Sequence, residues 1–435
     1  MSARTTAPED PGATVDAERD YARLVEHNLL RNYLAHLAHG LLGQTGFRLL
    51  NAPTFLPAYV LMLSGGSDLA VGVILSLQAF GMVLTPLIGA NMIEHRRRVL
   101  PVGFVTGGAM RAMVLLIALA GLVLEPDRAL IAIGVFLLAF GLFNGMQGVI
   151  FNVLMAKVIP VGKRGRLTGL RNFLAGISSA LVAWIGGEYL IGETPTVIGY
   201  SQIFLLAFVL TSIGLLMLTI VREPQPPSVR EHLPLGRRLR QLPRFMREDP
   251  PFARYVAARA LATMGRMAAP FYILYEGQKI GLSGTTLGVL TVAFTLAGTV
   301  SNLIWGALAD RHGFRLAFLA SIALWVLSTV LLMISSGLWI TALVFAGIGA
   351  AFQGFQQSAN NLTLEFGRRE EMPMRIALAN TASEVAGTIG PLLGGVLAAA
   401  FGYASVFGAS ILFLTLGGLM VLRYVPEPRH ADPAA

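Results

Sequence analysis

Long apolar stretches dominate this chain of 435 residues and restrict its fold more than any other feature. About twelve of them reach roughly 20 residues, which is enough for a helix to cross a hydrocarbon core about 30 Å thick. Hydrophobic residues make up 54% of the sequence and charged residues 13%, whereas charged residues make up roughly 25% of a soluble domain. We therefore expect an all-α membrane protein of about twelve spans, with no stretch left over for a soluble enzyme domain.

The basic residues indicate how the chain is oriented rather than a nucleic-acid partner. The net charge is +9 and the pI about 10.1, but Lys and Arg concentrate in the loops on one side of the predicted membrane. By the positive-inside rule, both termini and the central loop are predicted to be cytoplasmic in a bacterial-type inner membrane. These basic loop segments are EHRRR (94–98), KRGR (163–166), the run 222–247, DRHGFR (310–315) and GRREE (367–371).

Polar segments divide the chain into two sets of six spans. Residues 1–31 are predicted to form a cytoplasmic tail, disordered over about the first 20 residues, and 21–33 either an amphipathic helix on the membrane surface or an extension of the first span. A first six-helix bundle is expected over 32–221 and a second over 252–425, joined by the Pro- and Arg-rich loop 222–251. Residues 426–435 are predicted to form a cytoplasmic carboxyl-terminal tail.

The two halves repeat each other at a nearly fixed offset. NGMQGVIFN (144–152) aligns with QGFQQSANN (353–361), and GLRN (169–172) with ALAN (377–380). GANMIEHRRR (89–98) aligns with GALADRHGFR (306–315), and GFRLLNAP (46–53) with GRMAAP (265–270). Since the four matches occur in the same order, they indicate an internal repeat.

These motifs resemble the major facilitator superfamily of secondary transporters, from about Tyr33 to Val425. GALADRHGFR is similar to the family's loop signature GxxxDRxGRR, which implies a charge latch at the cytoplasmic side. In the first-half copy, Ile93 stands where the signature has Asp, and Glu94 follows it. The latch residues that the resemblance implies are Gly306, Asp310, Arg311, Gly313, Arg315 and, in the first half, Glu94.

A second motif, GTIGPLLGG (387–395), resembles the family's GP-containing motif, which is best known from the fifth span of antiporters. Here it falls in the eleventh span, and the fifth-span copy has Ala183 in place of proline. Two interpretations remain open. The small residues let two membrane helices pack closely, or the motif has a role specific to antiport.

The resemblance implies that the first, fourth, seventh and tenth spans line a central cavity. Each of these spans carries polar residues at the i, i+3, i+4 or i+7 spacing of one helical face. Polar faces are costly toward lipid and should therefore face protein or water. The candidate substrate-binding residues are Gln44, Arg48 and Asn51; Asn144 and Gln147; Arg259 and Arg266; and Gln353, Gln356 and Asn360.

Arg48 and Arg266 are predicted near mid-depth, if the first span runs from about Leu34 to Leu63. A charge at the centre of an isolated helix costs at least about 3 kcal/mol, so both guanidinium groups need a partner. Three partners are possible: an anionic substrate gripped by both side chains, Glu384 on the eleventh span, or backbone carbonyls and buried waters. The pair locally resembles the arginine clamp of organophosphate:phosphate antiporters.

The sequence predicts alternating-access transport of a small phosphorylated or carboxylated anion, by antiport or by proton-coupled transport. Glu384 would be either the proton carrier or a fixed counter-ion, because a desolvated carboxyl can carry a proton whereas one paired to an arginine stays ionised. Proton-coupled drug efflux is the main alternative; flipping of an anionic lipid, or a non-transporting sensor or assembly factor, are others. No cofactor is expected, since no GxxxxGK[ST] run and no cysteine occur. The expected partners are the substrate, the bilayer and a possible coupling proton, with the protein a monomer.

Overall fold

The computed structural model describes residues 11–226, 246–366 and 372–426. Within these ranges it describes the side chains of all residues from 19 onward except residue 373. Within these residues the fold is helical and contains no strand. The helices of the first half are α1 (Pro11–His27), α2 (Leu29–Asn51), α3 (Phe55–Leu63), α4 (Asp68–Met82), α5 (Thr85–Ile93), α6 (Leu100–Val123), α7 (Pro126–Val158), α8 (Val161–Ile185) and α9 (Val197–Met217). Those of the second half are α10 (Pro250–Met264), α11 (Ala269–Ile280), α12 (Gly284–His312), α13 (Phe314–Ile334), α14 (Leu338–Leu364), α15 (Met372–Phe401) and α16 (Tyr403–Tyr424).

Ten helices of the described chain are each long and apolar enough to cross a membrane. They are the second to sixth and the eighth to twelfth spans; α4 and α5 together form the second, and a π-helical turn, Gly186–Ile191, ends the fifth. The first and seventh spans are missing from that count for different reasons, although both are broken. The first consists of α2, which is long enough but carries many polar residues, and the short α3. The seventh consists of α10, a 3₁₀ turn (Gly265–Ala268) and α11, and neither helix alone is long enough. With these two, the predicted set of twelve spans is confirmed.

Prolines account for both breaks. Pro53 lies between α2 and α3, where its missing N–H and its ring prevent the helix from continuing. Pro270 lies in the first turn of α11, directly after the 3₁₀ turn. As a result, Arg48 lies in the last turn of α2, and Arg266 lies in the 3₁₀ turn that follows α10. Each arginine is therefore at the carboxyl end of a half-helix, where the helix dipole favours a cation.

The predicted disorder of the first 20 or so residues was wrong from Pro11 onward, whereas the helix found over residues 21–27 agrees with the prediction of a helix there. Residues 11–27 form α1, and the first span begins at Leu29 rather than near residue 32. A proline in the first turn is compatible with a helix because the N–H that it lacks has no partner there. Tyr21 donates a hydrogen bond to the backbone oxygen of Lys157 on the fourth span (2.9 Å), which attaches α1 to the bundle.

Most of the predicted central loop and carboxyl-terminal tail, residues 227–245 and 427–435, lie outside the described residues. The seventh span begins at Pro250, two residues before the predicted boundary. We call the end of the bundle that carries the loops 94–99, 159–160 and 313 the basic face, and the end with the loops 64–67, 192–196 and 281–283 the opposite face. That the basic face is cytoplasmic stays a prediction.

The two halves pack through the second and eleventh spans and through the fifth and eighth. Small residues allow both contacts: a Cβ on Gly72 would lie 2.5 Å from the backbone oxygen of Pro391, and one on Gly187 would overlap the Gly284 backbone. Pro391 belongs to the GP motif, so these contacts favour the packing interpretation of that motif.

Polar contacts also join the halves near the opposite face. They link Asp68 to Tyr403 (2.6 Å), Thr54 to Thr291 (2.7 Å), and Glu188 to Thr285 (2.9 Å). The halves are therefore in contact at the opposite face in this conformation.

A substitution can test the close packing inside the first half. A methyl group at Gly141 on the fourth span would overlap the backbone oxygen of Gln78 on the second, and neither group is flexible. We expect Gly141→Ala to lower the free energy of unfolding by about 1–3 kcal/mol, measured by thermal unfolding in detergent. Gly148→Ala on the same helix is the control, because nothing lies within 4 Å of its Cβ position. Equal unfolding midpoints for the two variants would contradict this close packing.

Candidate functional site

A central cavity, which we call the main chamber, lies between the two halves and has a volume of about 360 Å³. The first, fourth, seventh and tenth spans line it, as the family resemblance implies, and the second, eighth, ninth and eleventh spans contribute as well. Gln78 on the second span was not predicted; it donates a hydrogen bond to the Asn51 amide oxygen (2.6 Å). The predicted residues that line the main chamber are Asn51, Asn144, Arg266, Gln356 and Glu384.

Arg266 and Glu384 face each other in the main chamber without forming an ion pair. A Cβ on Gly387 would lie 3.8 Å from Glu384 Oε2 and 4.0 Å from Arg266 Nη1, so both groups flank the same glycine. Among the described residues, neither side chain has a hydrogen-bond or salt-bridge partner. The Arg266 guanidinium lies over the Phe352 ring, 5.4 Å from its centroid. Both charged groups are thus available to a ligand.

Arg48 lines a second cavity of about 330 Å³, the side chamber, together with Gln44 and Gln353. Its Nη1 donates to the Thr299 hydroxyl on the eighth span (3.0 Å), a contact across the two halves that the sequence did not indicate. The residues that line both chambers, and so form the boundary between them, are Phe47, Asn51, Ala52, Phe294 and Phe352. In this conformation, the two predicted clamp residues therefore line adjacent chambers rather than one.

Arg259 lies in a network of hydrogen bonds between the seventh, tenth and eleventh spans and lines neither chamber. It is 4% exposed. Nη1 donates to Thr363 (3.0 Å), and Nη2 donates to Asn360 (3.0 Å) and Asn380 (2.9 Å). The structure therefore gives Arg259 and Asn360 a structural role in joining spans, which differs from the predicted role in binding substrate.

The predicted glutamines of the first half line a third cavity of about 160 Å³, which we call the basic pocket. Gln147 is buried and accepts a hydrogen bond from Thr106 (2.8 Å). The Gln44 amide satisfies its neighbours when its oxygen faces Arg171 Nε (3.1 Å) and its nitrogen faces the Asn172 amide oxygen (3.2 Å). The polar and aromatic residues that line the basic pocket are His39, Gln44, Phe47, Arg111, Asn144, Gln147, Phe151 and Arg171.

The latch residues lie at the basic face, where they were expected. Asp310 and Arg311 are exposed at the end of α12, and Gly313 follows in a left-handed conformation (φ 87°) that few other residues adopt. Arg315 Nη2 donates to the backbone oxygen of Leu422 on the twelfth span (2.6 Å). Gly306 lies on α12, and a Cβ there would be 3.7 Å from Gln357 Nε2.

The side-chain contacts at the basic face differ between the first half and the second. Ile93 is buried and 3% exposed, and Glu94 follows it as the cap of α5. Glu223, after the sixth span, accepts hydrogen bonds from the backbone N–H groups of Val99 (2.8 Å) and Leu100 (2.9 Å) and pairs with Lys157 (2.6 Å). This carboxylate caps the third span, a role that the sequence analysis missed because Glu223 lies in the polar segment after the span.

Comparison with protein families agrees with this architecture. The sequence model described as Major Facilitator Superfamily matches residues 41–273 and 255–435. The chain is 28% identical over 170 residues to a protein of Oryza sativa subsp. japonica named "Probable anion transporter 3, chloroplastic". It is 28% identical over 168 residues to the multidrug resistance protein MdtG of Enterobacter lignolyticus. These matches cover 39% and 37% of this chain but only 32% and 39% of the relatives' own length.

Solved structures share the fold at low sequence identity. A crystal structure of a D-xylose–proton symporter superposes with a TM-score of 0.69 at 14% identity, covering 92% of this chain and 99% of the symporter. The nucleoside transporter NupG superposes with a TM-score of 0.68 at 14% identity, covering 90% of this chain and 98% of NupG.

Truncation of the two arginines of the seventh span is expected to destabilise the protein to different extents. Arg259→Ala leaves buried acceptors without a donor and should lower the free energy of unfolding by about 1–3 kcal/mol. Arg266→Ala loses a contact with an aromatic face and should lower it by less than about 1 kcal/mol. Thermal unfolding of both variants without added ligand is the measurement. A larger loss for Arg266→Ala would contradict the assignment of Arg259 to structure and of Arg266 to the chamber.

Proposed function

The chain belongs to the major facilitator superfamily and is a multi-pass membrane protein, and we propose that it transports a small organic anion carrying a phosphate or carboxylate group. The charge of the cavities is the observation that carries this proposal. Four arginines line the main chamber, the side chamber and the basic pocket, against the single carboxylate of Glu384, within the described residues. Such a cavity attracts anions and repels cations.

The geometry of the guanidinium groups supports the same substrate class. Arg48 has one hydroxyl partner, and Arg266 has the face of an aromatic ring. Both keep N–H groups that could bind a carboxylate or a phosphate bidentately. Rocking of the halves changes the distance between Arg48 and Arg266, since each belongs to a different half. The anion would then bridge them in the closed intermediate, while Asn51, Asn144, Gln353 and Gln356 donate to its uncharged oxygen atoms.

Proton-coupled drug efflux is the competing function. The aromatic lining of the main chamber by Phe47, Phe294 and Phe352, with a carboxylate among them, would suit an apolar cation, and one relative is named for multidrug resistance. The excess of arginine opposes cations, because transfer of a second positive charge into a water-poor cavity is unfavourable. Transport of an anionic lipid head group would use the same arginines and is separated by testing water-soluble anions.

Removal of either central arginine should weaken stabilisation by the anionic substrate. We expect some anion in a screen of phosphorylated and carboxylated compounds to raise the unfolding midpoint of the purified wild type, since a ligand that binds only the folded state stabilises it. Arg48→Ala and Arg266→Ala should each weaken that effect by about tenfold or more in apparent affinity. Thermal shift and substrate uptake into proteoliposomes are the two measurements.

Arg254→Ala is the matched control for the anion screen, because Arg254 is exposed on the same span as Arg266. Stabilisation by cationic drugs that is indifferent to Arg48 and Arg266 but lost in Glu384→Gln would overturn the anion proposal. It would establish drug efflux in its place.

Glu384 is, within this proposal, the group that couples transport to protons. Its carboxylate shares the main chamber with Arg266 but is not paired to it in the described residues, so substrate and carboxylate compete for one guanidinium. Binding of an anion to Arg266 neutralises the positive charge nearest to Glu384, which favours uptake of a proton by that carboxylate.

The coupling role predicts a specific loss of function in Glu384→Gln. In proteoliposomes, substrate-driven proton movement should disappear, while exchange of labelled for unlabelled substrate continues, because exchange needs no net proton transfer. A trapped pH-sensitive dye and labelled substrate report the two activities. Proton movement retained in Glu384→Gln would make this residue a fixed counter-ion.

A further inference from the structure

The basic pocket of the first half holds positive charge for which the described chain supplies no carboxylate. Arg111 is 4% exposed, Arg171 is half-buried, and no Asp or Glu lines the cavity. Arg111 donates Nε to the backbone oxygen of Thr211 (2.6 Å) and Nη1 to that of Gly107 (2.7 Å). Buried charges are normally paired, so a pocket of this kind calls for a partner.

Comparison of the two halves shows what is missing around Arg171. In the second half, the buried guanidinium is that of Arg259, and side-chain oxygens of Thr363, Asn360 and Asn380 accept from it. The repeat aligns Asn360 with Phe151 and Asn380 with Asn172. Thus one amide acceptor of the second half is an aromatic ring in the first. The guanidinium of Arg171 therefore has fewer side-chain acceptors than that of Arg259.

The contacts of Arg171 agree with that alignment. Its guanidinium carbon lies 4.9 Å from the centroid of the Phe151 ring, and its nearest acceptor is the Gln44 amide oxygen. His36 packs against the same ring (5.3 Å between centroids) and is fully buried, and neither of its ring nitrogens has a hydrogen-bond partner among the described residues. His36 does not itself line the pocket, but its unpartnered buried imidazole packs against Phe151, which does, so it is a second unsatisfied polar group beside the pocket.

We propose that the basic pocket is an anion subsite, distinct from the positions of Arg48 and Arg266, which binds one carboxylate or phosphate group through Arg171. Gln147 and the remaining Nη2 of Arg111 lie at the same cavity and supply further donors. The volume of about 160 Å³ is several times the share of about 30 Å³ that a water molecule takes in the liquid, so one such group fits.

Two sources can bring this group. The basic pocket adjoins the side chamber, since Gln44 and Phe47 line both. A doubly charged substrate could therefore place one acidic group near Arg48 and the other near Arg171, and this source rests on the proposed function. Alternatively, a separate anion occupies the basic pocket, and this source does not depend on the central arginines.

The experiment measures thermal unfolding of the full-length protein in rising inorganic phosphate, at constant ionic strength set with chloride. In an Arg48→Ala/Arg266→Ala double variant, phosphate should still raise the unfolding midpoint. Adding Arg171→Gln to that variant should weaken the apparent affinity by about tenfold. Arg166→Gln, at an exposed position of the same span, should leave it unchanged. Arg171→Lys keeps the charge and should retain most of the stabilisation, which separates loss of charge from loss of fold.

The outcomes are distinguishable from those of the proposed function. Phosphate stabilisation that is unaffected by Arg171→Gln, or absent from the wild type, overturns the subsite. Loss on Arg171→Gln together with indifference to Arg48→Ala and Arg266→Ala supports the subsite while the central clamp fails. Succinate and glutarate, compared with acetate, identify the source: an advantage of the dicarboxylates that vanishes in Arg171→Gln indicates one doubly charged substrate, and equal effects indicate a separate anion.

Discussion

The breaks in the first and seventh spans are the feature on which the rest of the structure depends. A backbone that leaves the helix inside a membrane exposes carbonyl and N–H groups that lipid cannot satisfy, so it must face protein or a wet cavity. Pro53 and Pro270 impose such breaks at corresponding places in the two repeats. The chambers lie beside these breaks, and each break places an arginine at the carboxyl end of a half-helix. The helix dipole stabilises the positive charge at that position.

The two halves share a fold but distribute charge differently. In the second half, Arg259 donates hydrogen bonds to side-chain acceptors and so joins three spans. In the first half, the comparable region holds Arg171 beside an aromatic ring. The basic face shows the same divergence, since Glu223 binds the start of the third span where the loop signature has lost its aspartate. A repeat thus conserves helix packing more closely than it conserves polar partners, which leaves one half free to bind and the other to support.

The sequence predicted the spans, the repeat and four lining helices because these depend on quantities summed over many residues. A stretch of 20 apolar residues is unambiguous, and helical periodicity identifies a face. Periodicity does not reveal what lies opposite that face at a given depth. Arg259 and Arg266 are seven residues apart on one face, about 10 Å along the axis, yet the tenth and eleventh spans surround only the first of them with acceptors. Gln78, Thr299 and Arg171 were missed for the same reason, since they come from the second, eighth and fifth spans.

Like charge on opposite halves also bears on how transport is coupled. Arg48 and Arg266 lie in adjacent chambers while the halves touch at the opposite face. In the proposed transport cycle, rocking toward the other conformation passes through a closed intermediate in which the chambers shrink. Two guanidinium groups about 8 Å apart repel by about 2 kcal/mol at an effective dielectric constant near 20. An anion between the two guanidinium groups makes the net electrostatic interaction attractive, whereas in an empty site nothing offsets their repulsion. If the substrate is an anion, the same arginines that select it also slow the return of the empty carrier, and this asymmetry favours exchange of one anion for another over uncoupled leakage.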